Sequence, residues 1–200
     1  MILIQITMMG LILLLSLSVT IITWYIKSQR LLKGFDNMLA FSYSNDGFVA
    51  YARNASLMLD RDYWYLKNAL KVDITIGNDL YEVSIPKGYL TDGASVPRIL
   101  WSICPKWDKS HKAVILHDYL CEYRIVTING KPTHISREEA DRLFLFALKY
   151  EGLTKLKYSL MHGAVRAQAT VKGSRFIEIS KVKLQLEDEI RLELKDTCYK

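Results

Sequence analysis

Hydrophobic and polar residues change their spacing several times along the chain, and each change marks an element. From Ile2 to Ile26 apolar residues run on, with no charged side chain before Lys27. A membrane-crossing helix needs about 20 such residues. Residues 1–26 are therefore expected to form one, with Trp24 and Tyr25 at its interfacial end. A cleaved signal peptide would want a basic start, a shorter apolar core and a small-x-small cleavage site, and the segment shows none of these convincingly. Residues 27–59 are dotted with Asn, Ser, Asp and Gly and read as a juxtamembrane linker passing into the domain edge. "KVDITIGNDLYEVSI" then alternates apolar with polar on both sides of "GND". Period two broken by turn residues predicts an antiparallel hairpin turning at Gly77–Asp79. "PKGYLTDGASVP" breaks the regularity and reads as a loop long enough to bind something or to cross the molecule.

The spacing beyond it is helical. Ser110 is placed to cap a helix running to about Tyr123, and Ser136-Arg-Glu-Glu139 is a capping box opening a second helix, Arg137 to Tyr150. On the second, Ala140, Leu143, Phe144, Ala147 and Leu148 share one face, opposite Glu138, Arg142 and Lys149. A third amphipathic stretch, about Thr154 to Ala169, puts Leu156, Leu160, Ala164 and Ala167 on one side. The C-terminal "IEISKVKLQLEDEIRLEL" alternates apolar with charged, which resembles a strand more than a helix. The sum is an α+β fold, in which a single N-terminal transmembrane helix precedes a small domain with an antiparallel β-hairpin and about three helices.

Composition adjusts this picture in a few places. Half of the 200 residues are hydrophobic, enough for one packed core. The net charge of +6 is spread among acidic residues without a dense Lys/Arg tract, which argues against nucleic-acid binding and suits an anionic lipid bilayer as partner. Lys27, Arg30 and Lys33 follow the apolar run, so the positive-inside tendency places residues 34–200 on the cytoplasmic side of a host inner membrane. Cys104, Cys121 and Cys198 are few, odd in number and without CxxC spacing, so they read as buried or reduced thiols.

Chemistry concentrates in "ILHDYLCEY". On a helix from Ser110, His117 shares a face with Ala113, Leu120 and Cys121, while Asp118 lies about 100° round beside Val114 and Glu122. Asp141 falls between Leu145 and Leu148 at the flank of an apolar face, where a carboxylate is costly unless paired. Helices packed antiparallel across a short connection would bring it to His117, and a carboxylate orienting an imidazole is the ingredient of a general base. The structural alternatives are a satisfied core histidine, an aspartate complementing a helix dipole, and an ordinary turn aspartate at Asp92. His111, His134 and His162 lack HExxH spacing.

"GYLTDGASVPRILW", "AVILHDYLCEY", "SREEADRLFLFAL" and "GAVRAQ", in that order, resemble the DUF1353 family of phage and prophage proteins over roughly Val83 to Gly173. The resemblance implies a phage or prophage origin and a DUF1353-like domain over residues 60–175, with residues 176–200 as a C-terminal alternating segment. More distantly, the His-Asp pair with a later aspartate and an upstream loop is similar to the phospholipase A2 arrangement. That similarity implies His117 as base, Asp141 as its orienting carboxylate, and Asp118, Asp92 and Gly93 around Ca2+. The paired cysteines and glycine-cysteine-glycine loop of the secreted phospholipases are absent. Two readings follow. One is a calcium-assisted lipid or ester hydrolase, in which the ion polarises a carbonyl while His117 deprotonates water. The other is a non-catalytic structural or interaction protein, in which the same residues form a buried packing network.

Overall fold

The computed structural model describes residues 38–93, 108–172 and 179–196. The chain divides into two compact units, Met1–Met38 and Leu39–Lys200, and almost all of the described residues belong to the second. The hairpin forms as its alternation requires. Strands β4 (Leu70–Ile76) and β5 (Asp79–Ile85) pair antiparallel from Ile76↔Asp79 to Leu70↔Ile85. Leu70, Val72, Ile74, Tyr81, Val83 and Ile85 are buried, and Lys71, Asp73, Glu82 and Ser84 face out. The turn is the pair Gly77–Asn78, with Gly77 at φ +61°, a conformation that costs glycine little.

The hairpin is the middle of something larger. β1 (Met38–Tyr43), β7 (Ile125–Ile128) and β8 (Lys131–His134) extend it to five strands in the order β1-β4-β5-β7-β8. β7 and β8 turn through Asn129 and Gly130, both at positive φ, the Asn-Gly signature of a tight hairpin. A second antiparallel sheet joins β2 (Val49–Tyr51), β3 (Trp64–Leu66) and β6 (Leu90–Thr91) in that order, with the short helix α1 (Arg53–Met58) following β2. Residues 38–59, read from sequence as linker and domain edge, thus supply two strands and a helix.

Helices α2 (His111–Tyr123) and α3 (Arg137–Tyr150) stand where the spacing put them. The capping box of α3 is made in full: the Glu139 N–H donates to Ser136 Oγ at 3.1 Å, and the Ser136 N–H donates to Glu139 Oε2 at 2.9 Å. All five residues of its expected apolar face are buried, and Leu145 and Phe146 with them, so α3 runs through the core. Ser110 occupies the N-cap of α2, but its hydroxyl binds Asp108 instead of the helix N–H groups.

Four expectations are corrected. The fold class is α+β, but a small domain with one hairpin and three helices understates it: the described residues hold two antiparallel sheets and five helices. Among the described residues no helix is long and apolar enough to cross a membrane, and the expected span over residues 1–26 lies outside them. Helix α4 (Lys155–Lys172) buries Met161 and His162, while Leu156 and Ala167 are exposed, so its inward face is not the leucine-alanine stripe. The C-terminal segment forms helix α5 (Lys181–Asp196), not a strand. Its inward face is Lys183, Leu186, Glu187 and Ile190, spaced at i, i+3, i+4 and i+7. Two of those four are charged, so apolar spacing alone could not reveal the helix.

Leu186 and Ile190 pack with Ala52, Ala55, Leu90, Leu59, Tyr63 and Tyr65. The approach is close at Gly88 (φ +80°), where an added Cβ would stand 2.7 Å from Arg191 Cγ and 3.2 Å from the Glu187 carbonyl oxygen. Only glycine suits that position.

Candidate functional site

Helix α2 carries the site residues, and its geometry divides them into two groups. His117 and Cys121, one turn apart, face α3, while Asp118 and Glu122 turn toward the second sheet and α5.

On the α3 side His117 Nε2 meets Asp141 Oδ1 at 2.8 Å, and the Cys121 thiol lies 3.4 Å from the same nitrogen. Asp141 accepts two further bonds, from Arg137 Nε at 3.0 Å on Oδ1 and from Arg166 at 3.3 Å on Oδ2. One carboxylate therefore ties α2, α3 and α4 together. Its neighbours are apolar: the imidazole lies against the Phe144 ring at 4.5 Å between centroids. His117 is 6% exposed and Asp141 is 1% exposed. Burial lowers the pKa of His117 below the usual imidazole range, against the pull of Asp141, so the ring is neutral near pH 7. Burial pushes Asp141 up, but its bonds to His117 and Arg137 outweigh that and hold it below the usual carboxylate range. His162 is buried on α4, with its Nε2 unpartnered among the described residues, and burial lowers its pKa to about 4. The Nε2, Sγ and carboxylate oxygen of His117, Cys121 and Asp141 all lie within 4.8 Å of one another.

On the other side the Thr91 hydroxyl donates to Asp118 Oδ2 at 2.5 Å, and the Gly93 N–H donates to Thr91 Oγ1 at 3.0 Å. Asp92 pairs with Arg61 at 2.7 Å. Burial, with the neighbouring Asp92 carboxylate added, pushes the pKa of Asp118 well above the usual range. Beyond it lies a second charged network. Lys183 of α5 reaches Glu122 at 2.5 and 2.7 Å and stands 4.7 Å from the centre of the Tyr89 ring, whose hydroxyl also donates to Glu122. Glu187, fully buried, accepts from the Leu90 N–H at 3.0 Å and pairs with Lys183 and Arg191.

Of the five predicted site residues, the structure joins His117 to Asp141 and, separately, links Gly93 and Asp118 through Thr91, with the Asp92 carboxylate beside them paired to Arg61. Sequence reasoning missed Cys121, Arg137 and Arg166 as partners. Cys121 follows His117 by four residues and Arg137 precedes Asp141 by four, so both lay within helical contact distance. Arg166 and His162 had no such signal, because the docking of α4 brings them in.

Fold and site together define an α+β domain, with two antiparallel sheets and five helices among the described residues, organised around a buried His-Asp-Arg network. The chain belongs to the DUF1353 family, described as a protein of unknown function, whose pattern matches residues 64–165, just over half of the chain. No curated protein and no solved structure matches the chain. The matched segment runs from β3 into α4 and contains His117, Asp118, Asp141, Asp92 and Gly93.

Proposed function

We propose that the domain is a non-catalytic structural or interaction protein of phage or prophage origin, in which the His117–Asp141 network fixes the packing of three helices. The observation that carries this reading is burial: His117 and Asp141 are almost wholly enclosed, with an aromatic ring over the imidazole. A general base needs a nitrogen within reach of its substrate, with the orienting carboxylate on the other nitrogen. Here Asp141 and Cys121 both stand at Nε2, the imidazole is enclosed with its other nitrogen, and Asp141 is shared with two guanidinium groups. Such an arrangement suits a buried hydrogen-bonded network, which specifies packing.

The hydrolase reading has one observation in its favour, and it lies on the other side of α2. Asp118 is pushed toward its neutral form beside Asp92, which a divalent cation would relieve by binding both carboxylates. Aspartate oxygens suit calcium, although the Asp92 carboxylate already pairs with Arg61.

One experiment addresses both readings. Thermal stability and ester or phospholipid hydrolysis are measured for wild type and His117→Asn, with and without calcium. Loss of a buried hydrogen bond to a charged group costs roughly 1.5–3 kcal/mol. The expected result is a destabilisation of about that size in the variant, and no calcium-dependent hydrolysis in wild type. Calcium-dependent hydrolysis that disappears in a stably folded His117→Asn would overturn the structural reading.

A further inference from the structure

The Cys121 thiol, 3.4 Å from His117 Nε2, has no chemical role in either reading. We propose that His117, Cys121 and Asp141 form the seat of a transition-metal ion of zinc's class, a structural centre binding α2 and α3, toward which His162 of α4 would have to move to serve as a fourth ligand. The inference rests on the reading of this cluster as structural.

The three donor atoms belong to buried side chains and lie within 4.8 Å of one another. His117 and Cys121 sit one turn apart on α2, the spacing by which a helix offers two ligands to one ion. Bonds of about 2.0–2.3 Å at tetrahedral angles put ligand atoms roughly 3.4 Å apart. The Cys121 thiol and His117 Nε2 stand at 3.4 Å. His117 Nε2 and Asp141 Oδ1 are closer, at 2.8 Å, and would part by roughly half an ångström to admit an ion between them.

His162 supplies the independent pointer. It is 4% exposed, its Nε2 has no hydrogen-bond partner among the described residues, and it lies on the helix that brings Arg166 to Asp141. A buried polar atom left without a partner is expensive, and metal ligation satisfies an imidazole nitrogen. The donor chemistry narrows the ion. Thiolate and imidazole with one carboxylate suit zinc or cobalt(II), whereas calcium and magnesium prefer oxygen alone.

Charge and protons balance. Cys121 loses its proton to solvent when the metal–sulfur bond forms, the ring proton of His117 passes from Nε2 to Nδ1 so that Nε2 can ligate, and thiolate and carboxylate then offset the two charges of the ion. Arg137 and Arg166 remain as hydrogen-bond donors to the ligating carboxylate, the usual outer support of such a ligand. With His162 moved in, four protein ligands would leave no open position for a substrate, which is the mark of a structural site.

The test uses the full chain, stripped of metal by dialysis against a chelator and titrated with Co2+. Expected are the strong visible bands of tetrahedral cobalt(II), a thiolate-to-cobalt absorption in the near ultraviolet, and displacement of both by Zn2+ with a rise in Tm. Because the chain has three cysteines, two comparisons assign the sulfur. Cys121→Ser should abolish the thiolate band and weaken binding by more than the roughly 10–100-fold that an outer-shell change costs. The double variant Cys104→Ser/Cys198→Ser should keep both. His162→Gln should dim the visible bands as water replaces the fourth ligand. No thiolate band in wild type, or one that survives Cys121→Ser, overturns the proposal. If Cys121→Ser does not fold, the double variant decides: a band there supports the site and its absence overturns it. Melting the His117 variant in chelator tests the structural network separately, since the network can hold without the ion.

Discussion

His117 and Asp118 are adjacent in sequence, yet one enters the α3 network and the other the Thr91 turn, because successive residues on a helix point about 100° apart. That divergence was legible from the sequence. The fate of His162 was not, since no neighbour on its own helix betrayed its burial. Its titration gives a prediction with a definite sign. The unfolded imidazole titrates near 6.5, whereas burial holds the folded one at about 4. Above pH 6.5 both states are neutral and His162 contributes nothing. As the pH falls through 6.5 the unfolded chain takes up the proton first, so stability is lost progressively until about pH 4. The loss over that window is on the order of 3 kcal/mol. Asp118 and Glu187, whose pKa values are raised, act in the opposite direction across the same range. A difference measurement isolates the histidine. Urea denaturation of wild type and His162→Gln at pH 7 and pH 4.5 should show the variant gaining about 2–3 kcal/mol relative to wild type at the lower pH. An equal difference at both values would mean that His162 is not held neutral.

Among the elements, those whose signal is local matched their expected bounds. Helix α3 begins at its capping box, with both reciprocal bonds made, and ends within a residue of the last apolar position. Ser136→Ala should therefore cost about 1 kcal/mol by leaving the first-turn N–H groups to water. Ser136 is exposed, so no packing loss is added, and a melt unchanged within error would show that the cap contributes nothing. The β4–β5 hairpin was equally plain, because one face is buried and the other wet. Asn129-Gly130 carried a second hairpin signal just as strong. Helix α5 was misread because its residues alternate apolar and charged, while its buried face includes Lys183 and Glu187, whose charges are met by each other, by Glu122 and by Arg191.

At the scale of the whole molecule, α5 lies outside the family-matched segment yet is fastened to it by buried charge. Lys183, 5% exposed, is the main fastening, with Glu122 and the Tyr89 ring around it. Lys183→Met removes one partner of a buried pair and should destabilise the domain by about 3–5 kcal/mol. Chemical denaturation checks this, and a loss below about 1 kcal/mol would mean that the apolar contacts of Leu186 and Ile190 suffice. By itself the sequence determined the family, the central hairpin, the α2 and α3 helices and the pairing of His117 with Asp141. The family rests on a resemblance carried by the order of its motifs; the others rest on periodicity, caps or helical offsets that act over a few residues, or on one short connection between neighbouring helices. Only the tertiary structure decided that the pair is enclosed, that Arg166 joins it from α4, that His162 is buried, and that a charged C-terminal segment is a helix. Those outcomes depend on which surfaces meet across more than twenty residues of chain, and the burial that sets their energies exists only once the surfaces have met.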